Sequence, residues 1–346
     1  MGDNDNLVTT EAKISTAMSL LDHTQRPILV TGAAGFIGAN VSRALLNRGC
    51  SVVGIDSIND YYDPALKHHR LAGLADHPQF KFHQLDLADK AAVDWLFAAQ
   101  DFDIVVHLAA QAGVRYSIEN PGAYVASNLL GFQNVLEACR RKPPQHLVFA
   151  SSSSVYGNSK ADVFCESDRT DDPVSLYAAT KKANEVVGHS YAKLYGIPMT
   201  GLRFFTVYGP AGRPDMAYFS FTQAILAGEP IRVFNHGRLE RDFTYIDDIV
   251  AGVVGVCDRP PTELDIPHRI LNLGNNQPVQ LGHFIATLEQ LLGKEAVKDY
   301  VDMQPGDVYK TCANIDAAKG LVGYSPTTSI EVGLARFVDW YRGYYN

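Results

Sequence analysis

Long hydrophobic runs are missing from this sequence. No apolar stretch approaches the roughly 20 residues of a membrane-spanning helix, so a transmembrane role is not expected. Cysteine is scarce: five residues, at 50, 139, 165, 257 and 312, with no CxxC pair. An odd, widely spaced set argues against a disulfide framework and reads as free buried thiols in a reducing compartment. The eleven histidines are scattered without an HExxH pattern, and only His68 and His69 are neighbours, so no metal is expected. Basic residues number 30 against 38 acidic ones, giving a net charge of −8 with no basic stripe. Nucleic acid and anionic membrane are therefore not expected partners. The first residues, MGDNDNLVTTEAKIS, carry acids early and lack an apolar signal-peptide core. Asn6 occupies the Ser/Thr position of the myristoylation pattern. A cytoplasmic location is the expectation.

What is present begins with length. A chain of 346 residues exceeds one ordinary core and suggests two packed lobes. Residues 1–25 read as a polar extension, with a short helix over 14–21, that does not carry the chemistry. From Pro27 apolar runs alternate with helical patterns: PILVTG, then FIGANVSRALLNRG, then SVVGID, FKFHQLDL, DIVVHLAA and HLVFASSS. Helices are expected at about 89–100, 119–142 and 176–195, the last closed by Gly196, with IPMTGLRFF following as a strand. Strands alternating with helices imply βαβ units and a parallel sheet buried on both faces. The expected architecture is α/β: a Rossmann-type doubly wound parallel sheet over 26–205. A smaller mixed α/β lobe covers 206–346, and 240–275 returns to the first.

TGAAGFIG places Gly32, Gly35 and Gly38 between a strand and a helix, with Phe36 and Ile37 opening that helix. Glycines let backbone N–H groups approach a pyrophosphate, and the helix N-terminus adds partial positive charge. The spacing is GxxGxxG, and three glycines alone are equally consistent with a tight turn. Asp56 at the end of the next strand adds context. A carboxylate there accepts hydrogen bonds from two ribose hydroxyls and repels a 2′-phosphate, which favours NAD over NADP. Asp86 and Leu87 end the third strand and are expected to flank the adenine. Ala109, Ala110 and Gln111 end the fourth and are expected to line the cofactor.

SSSSVYG (151–157) follows the fifth apolar run, at the strand end where open α/β sheets place ligands. YAATK then sets Tyr177 and Lys181 four apart on one helix face. A tyrosine with its usual pKa of about 10 is a poor base near neutrality. A lysine ammonium beside it favours the phenolate, which can take a proton from a substrate hydroxyl. A serine from 151–154 is placed to hold the same hydroxyl.

Together these motifs resemble the extended short-chain dehydrogenase/reductases of the nucleotide-sugar epimerase and dehydratase group. The match runs from TGAAGFIG near residue 31 to QPGDV near residue 304 and so covers most of the chain. The resemblance implies that Ser152, Tyr177 and Lys181 form the catalytic triad, with Tyr177 as base. It also implies that NAD stays bound and that Ser153 and Ser154 line the sugar site. The dehydratases and UDP-glucuronate decarboxylases of this group carry an acid just before VYG. Here Ser154 stands there, which points to reversible oxidation and reduction at C4, an epimerase.

RFFTVYGPAGRPDMA (203–217) resembles the UDP-glucuronate 4-epimerase branch, with Thr206 where UDP-galactose epimerases commonly have Asn. By that likeness Arg213 meets a carboxylate or the diphosphate, since a guanidinium suits both. Thr206, Ser152 and Ser153 would hold the C6 carboxylate by neutral hydrogen bonds. HGRLERDFTYIDD resembles the segment whose arginine, here Arg241, grips the UDP diphosphate. QPGDV places Asp307 for the uridine ribose, and Gln304 stands where the galactose epimerases usually have Arg. YKTCAN departs from the usual TYAD-like ending, and Ser220 and Gln223 fall where lysines are frequent.

The function this implies is a UDP-glucuronate 4-epimerase, forming UDP-galacturonate through a 4-keto sugar. The alternatives are a UDP-glucose or UDP-N-acetylglucosamine 4-epimerase, then a UDP-glucuronate decarboxylase or sugar 4,6-dehydratase. A non-catalytic NAD-binding scaffold is the reading from another class; the intact Tyr177/Lys181 pair speaks against it. The family also implies a homodimer through helices 119–142 and 176–195, paired as a four-helix bundle.

Overall fold

The computed structural model describes residues 19–303 and 308–345. Its first half alternates strand and helix: β1 (Ile28–Thr31), α1 (Phe36–Asn47), β2 (Val52–Asp56), α2 (Pro64–Ala75), β3 (Phe80–Gln84), α3 (Lys90–Ala99) and β4 (Ile104–His107). Two short helices follow, α4 (Tyr116–Glu119) and α5 (Pro121–Tyr124), then a π-helical turn (Val125–Leu130) running into α6 (Gly131–Arg141). β5 (His146–Ser152), α7 (Leu176–Tyr195) and β6 (Met199–Phe204) complete this half.

The chain then passes through β7 (Thr206–Tyr208), α8 (Ala217–Ala227), β8 (Pro230–Phe234), β9 (Glu240–Tyr245), α9 (Ile246–Cys257), β10 (His268–Leu273) and β11 (Pro278–Gln280). α10 (Leu281–Leu292), β12 (Val297–Val301), α11 (Asp316–Val322) and α12 (Ile330–Tyr345) close it.

Seven strands form one sheet in the order β10-β6-β5-β4-β1-β2-β3, all parallel. The run 3-2-1-4-5-6 within it is the doubly wound order. Alternation along the buried strands explains the two cores. Ile28, Val30, Ile104, Val106, Val148 and Leu202 point to one face, where α1, α2 and α9 pack. Leu29, Val53, Ile55, Val105, Leu147 and Phe149 point to the other, against α3 and α6. Period-2 geometry sends successive side chains to opposite faces, so near-continuous apolar strands mark a sheet covered on both sides.

The helix starts that face the cleft are set by local chemistry. Asp63 caps α2 through its side chain ahead of Pro64, and Ser175 caps α7 by accepting from Ala178 N at 3.1 Å, each satisfying an otherwise orphaned N–H. Gly196, at φ +67, ends α7.

β7, β9 and β11 make a small second sheet, and β8 pairs with β12. The expected return of 240–275 to the large sheet begins later than that. Glu240–Tyr245 stay in the small sheet because β9 is held there on both edges, by β7 and by β11. α9 and β10 are the part that packs on the large sheet, with β10 registered on β6 from His268–Met199 to Leu273–Phe204. Of the extension, residues 19–25 are described. Ser19 Oγ donates to Asp258 Oδ1 at 2.6 Å, and Leu20–His23 form a 3-10 turn. Most of the expected 14–21 helix lies outside the described residues. Four of the five cysteines are buried, but Cys165 is half-exposed because it sits in an irregular loop and not on a sheet or helix face.

Candidate active site

The carboxyl ends of the parallel strands open into one cleft of about 1050 Å³. That exceeds the usual volume for a single drug-sized ligand and suits a dinucleotide beside a nucleotide sugar. Every cofactor and substrate position expected from sequence lines this cleft, except Gln304 and Asp307, which lie outside the described residues.

At one end, β1 runs into the glycine loop. Gly32 adopts φ +73, and a Cβ there would lie 2.9 Å from Ala109 N; a Cβ on Gly38 would lie 2.0 Å from Gly32 O. No side chain caps α1 at Gly35, so its first-turn N–H groups are left for an anion. Asp56 ends β2 with Oδ2 accepting from Ala34 N at 3.2 Å and Oδ1 from Ile58 N at 2.9 Å. A cradle that admits no Cβ, an uncapped helix start and an acid beside it fit a dinucleotide with a free ribose 2′-hydroxyl.

In the middle of the cleft, the Ser175 cap sets Tyr177 in the first turn of α7. Lys181, one turn on, is buried and donates to Ala150 O at 2.9 Å. Burial lowers its ammonium from the usual 10.5 to about 8. Burial raises the Tyr177 phenol above its usual value, while the Ser152 hydroxyl and the Arg213 charge pull it back down. Ser152 is the last residue of β5; its Oγ donates to Ser154 Oγ at 3.1 Å and accepts from Ser154 N at 3.2 Å. Ser151, one residue earlier, turns away and donates to Glu185 Oε1 at 2.6 Å.

The third group sits on the loop after β7. Arg213 pairs with Asp215 through Nε, at 3.0 Å, and through an Nη2 hydrogen. The Tyr61 hydroxyl donates to Asp215 Oδ2 at 3.2 Å. Thr206 heads β7, and Arg241 on β9 donates to the carbonyls of Glu240 and Tyr309 at 3.0 and 3.1 Å. Next to it, buried Asp242 accepts from the backbone of Asn275, Asn276 and Ala313 and from Thr244, drawing two loops together around β9.

Several residues here were not singled out from sequence. Arg70 of α2, 3% exposed, donates to Ala34 O at 3.1 Å, Ala211 O at 2.8 Å, Gly212 O at 2.9 Å and Tyr62 OH at 2.7 Å. It thereby joins the glycine loop to the Arg213 loop. Asn128, in the π turn, clamps the Gln111 backbone, with Oδ1 accepting at 2.8 Å and Nδ2 donating at 3.0 Å. Glu185 had a visible signal, four residues beyond Lys181 on the same helix face. Asp215 lies within the GRPDMA part of the segment singled out for Arg213, whereas nothing local marks Arg70 or Tyr61.

The glycine cradle, the tyrosine–lysine pair on α7 and the strand order define the class. The chain belongs to the NAD dependent epimerase/dehydratase family, whose sequence profile matches residues 28–274. Among its relatives is UDP-glucuronate 4-epimerase 3 of Arabidopsis thaliana, 49% identical over 97% of this chain and 81% of that one. A probable UDP-glucuronate 4-epimerase of Rhizobium meliloti is 46% identical over 92% of this chain and 97% of the other. The crystal structure of a UDP-glucuronic acid 4-epimerase from Bacillus cereus, in complex with UDP-glucuronic acid and NAD, superposes with a TM-score of 0.86. It is 36% identical, covering 92% of this chain and all of that one.

Proposed function

We propose that this chain is an NAD-dependent UDP-glucuronate 4-epimerase. The observation that carries this is the placing of Arg213. It lines the same cleft as Tyr177 and its charge favours the Tyr177 phenolate, which supports a place toward the reacting end of the cleft. In a hexuronate the carbon next to C4 bears the carboxylate, whereas the diphosphate hangs from C1 across the ring. A guanidinium by Tyr177 therefore suits the carboxylate.

Bound NAD supplies the hydride acceptor and donor for C4. Tyr177 takes the O4 proton and later returns it, while Ser152 holds the same oxygen. Lys181 favours the phenolate by its charge. Asp56 and the glycine loop orient the dinucleotide. Arg241, together with Gln304 and Asp307, holds the UDP end, so the 4-keto sugar can turn over and present its other face. Hydride and proton each leave and come back, and no net redox change results. Ser154 supplies no carboxylate for a second proton transfer, which favours epimerisation over dehydration or decarboxylation. On this reading residues 26–205 are the NAD-binding part and 206–346 mainly the UDP-sugar part.

The same reading includes a homodimer. Val125 and Leu130 near the π turn, and Val186 and Leu194 on α7, are 49%, 48%, 57% and 67% exposed. Apolar residues this open on adjacent helices suit a helix-to-helix contact between copies. Five unpaired thiols and a UDP-sugar substrate fit the cytoplasm.

Purified protein incubated with UDP-glucuronate and followed by NMR tests the function. UDP-galacturonate without net NADH is the expected product, and Tyr177→Phe removes it. UDP-xylose would replace this reading by a decarboxylase. Epimerisation of UDP-glucose or UDP-N-acetylglucosamine, with UDP-glucuronate untouched, would keep the mechanism and overturn the substrate.

A further inference from the structure

The Arg213 guanidinium is held within the protein by one edge. Its Nε and one Nη2 hydrogen go to the two carboxylate oxygens of Asp215. The Tyr61 hydroxyl is the other side-chain group within its reach, and among the described residues no further side-chain partner takes the Nη1/Nη2 edge, which suits it to an incoming anion. A guanidinium carries five donors in a planar fork, and one carboxylate on the Nε side leaves a second, parallel pair of N–H groups. The main chain of Arg213 is fixed as well, its N–H donating to the buried Tyr218 hydroxyl at 3.1 Å.

Asp215 is itself held from the opposite wall. The Tyr61 hydroxyl donates to Oδ2 at 3.2 Å, and the Tyr61 ring lies 4.7 Å from that of Tyr116. Gly113, at φ +102, passes so close that a Cβ there would stand 2.7 Å from the Tyr61 hydroxyl. Tyr61 comes from the segment after β2, on the dinucleotide side of the cleft.

We propose that Asp215 and Tyr61 are positioning residues that fix the plane of Arg213 so that its open edge receives the substrate carboxylate, and that they thereby set the preference for uronates. This rests on the assignment of UDP-glucuronate as substrate.

The proposal makes a prediction of sign. Asp215 is an anion beside the place where a second anion must bind. By Coulomb's law alone, removing it tightens uronate binding. Removing a positioning group does the reverse, because a misplaced guanidinium loses its two-point geometry. Dissociation constants for UDP-glucuronate and UDP-glucose are measured by calorimetry in a Tyr177→Phe background, where turnover does not interfere. Asp215→Ala, with Asp215→Asn as the milder variant, is expected to weaken UDP-glucuronate about tenfold and to leave UDP-glucose within about twofold, the sugar without a carboxylate being blind to the change.

Tyr61→Phe is expected to weaken UDP-glucuronate less, and to add little on top of Asp215→Ala, as residues acting through one contact do. Equal or tighter uronate binding in the Asp215 variants overturns the proposal, as does an equal loss for both ligands. NMR turnover of UDP-glucuronate by the chain with Tyr177 intact separates the two levels. Turnover with unaltered uronate affinity in the Asp215 variants sinks the positioning role alone. No turnover sinks the substrate assignment and the proposal with it.

Discussion

Glu185 and Arg203 meet side by side behind the serine strand, Nε to Oε1 and Nη2 to Oε2 both at 2.8 Å. Both side chains are almost wholly buried. Ser151 donates to the same carboxylate, and the Arg203 Nη1 donates to Tyr156 OH at 3.0 Å. The pair thus locks α7, which carries Tyr177 and Lys181, onto β5 and β6. Arg203→Met strips the buried Glu185 carboxylate of its two-point partner, leaving it Ser151 and, at 4.0 Å, the Lys182 ammonium, at a cost of up to about 3–5 kcal/mol. Thermal unfolding should show a drop of several degrees, largely recovered by adding Glu185→Met. A single variant as stable as the parent would show that the carboxylate is relieved by Lys182 or by water.

The acid limb of the pH–rate profile reports Tyr177. Burial raises its pKa, and Arg213 lowers it. Activity requires the phenolate, so the rate should rise with pH through this limb. Removing the Arg213 charge removes a lowering influence, so Arg213→Gln should shift the rising limb to higher pH, besides raising KM. Lys181, lowered to about 8, loses its charge as the pH rises through that value and with it any help to the phenolate, so the rise in the parent should be shallower above about pH 8 than a single titration would give. A limb that stays in place in Arg213→Gln would mean that its charge does not reach Tyr177.

Arg70 holds the glycine loop and the Arg213 loop with one side chain. Arg70→Met should consequently disturb both ligands at once. The expected result is faster loss of NAD on gel filtration together with a KM for UDP-glucuronate raised about tenfold, the scale set by losing several hydrogen bonds from one charged group. Arg70→Lys keeps the charge but not the fork and should fall between. A change in only one of the two ligands would cut the link.

The exposed face of α7 gives a direct test of assembly. Leu194→Glu or Val186→Asp places a charge where an apolar contact is proposed, and light scattering after size exclusion should then give the mass of one chain. A parent that is already monomeric, or a variant that remains dimeric, would move the interface elsewhere.

The strands were legible because a sheet buried on both faces writes itself as continuous apolar runs: PILVTG became β1 and HLVFASSS became β5. Tyr177 and Lys181 were legible because four residues is one helical turn. The ties that orient them were not. Ser151 stands opposite Arg203 only once β5 and β6 pair, and Arg70 reaches carbonyls some 140 residues away. VASNLL reads as ordinary helix, yet it forms a π turn, a local widening often found at functional sites. Here it carries Asn128, buried against Gln111. Such features depend on what folds back on a segment, which its own residues do not encode.

Among the described residues the strand path passes between the large sheet and the small one after Phe204, at Tyr245–Ile246 and after Leu273. The first and last crossings leave from neighbouring strands and are stitched together by Phe205 N–H donating to Leu273 O at 3.1 Å. A jaw-like swing would have to bend each of these connections. The segments bearing Tyr61 and Arg213 line the cleft, so passage of a nucleotide sugar is expected to be set at this rim more than by movement of one sheet against the other.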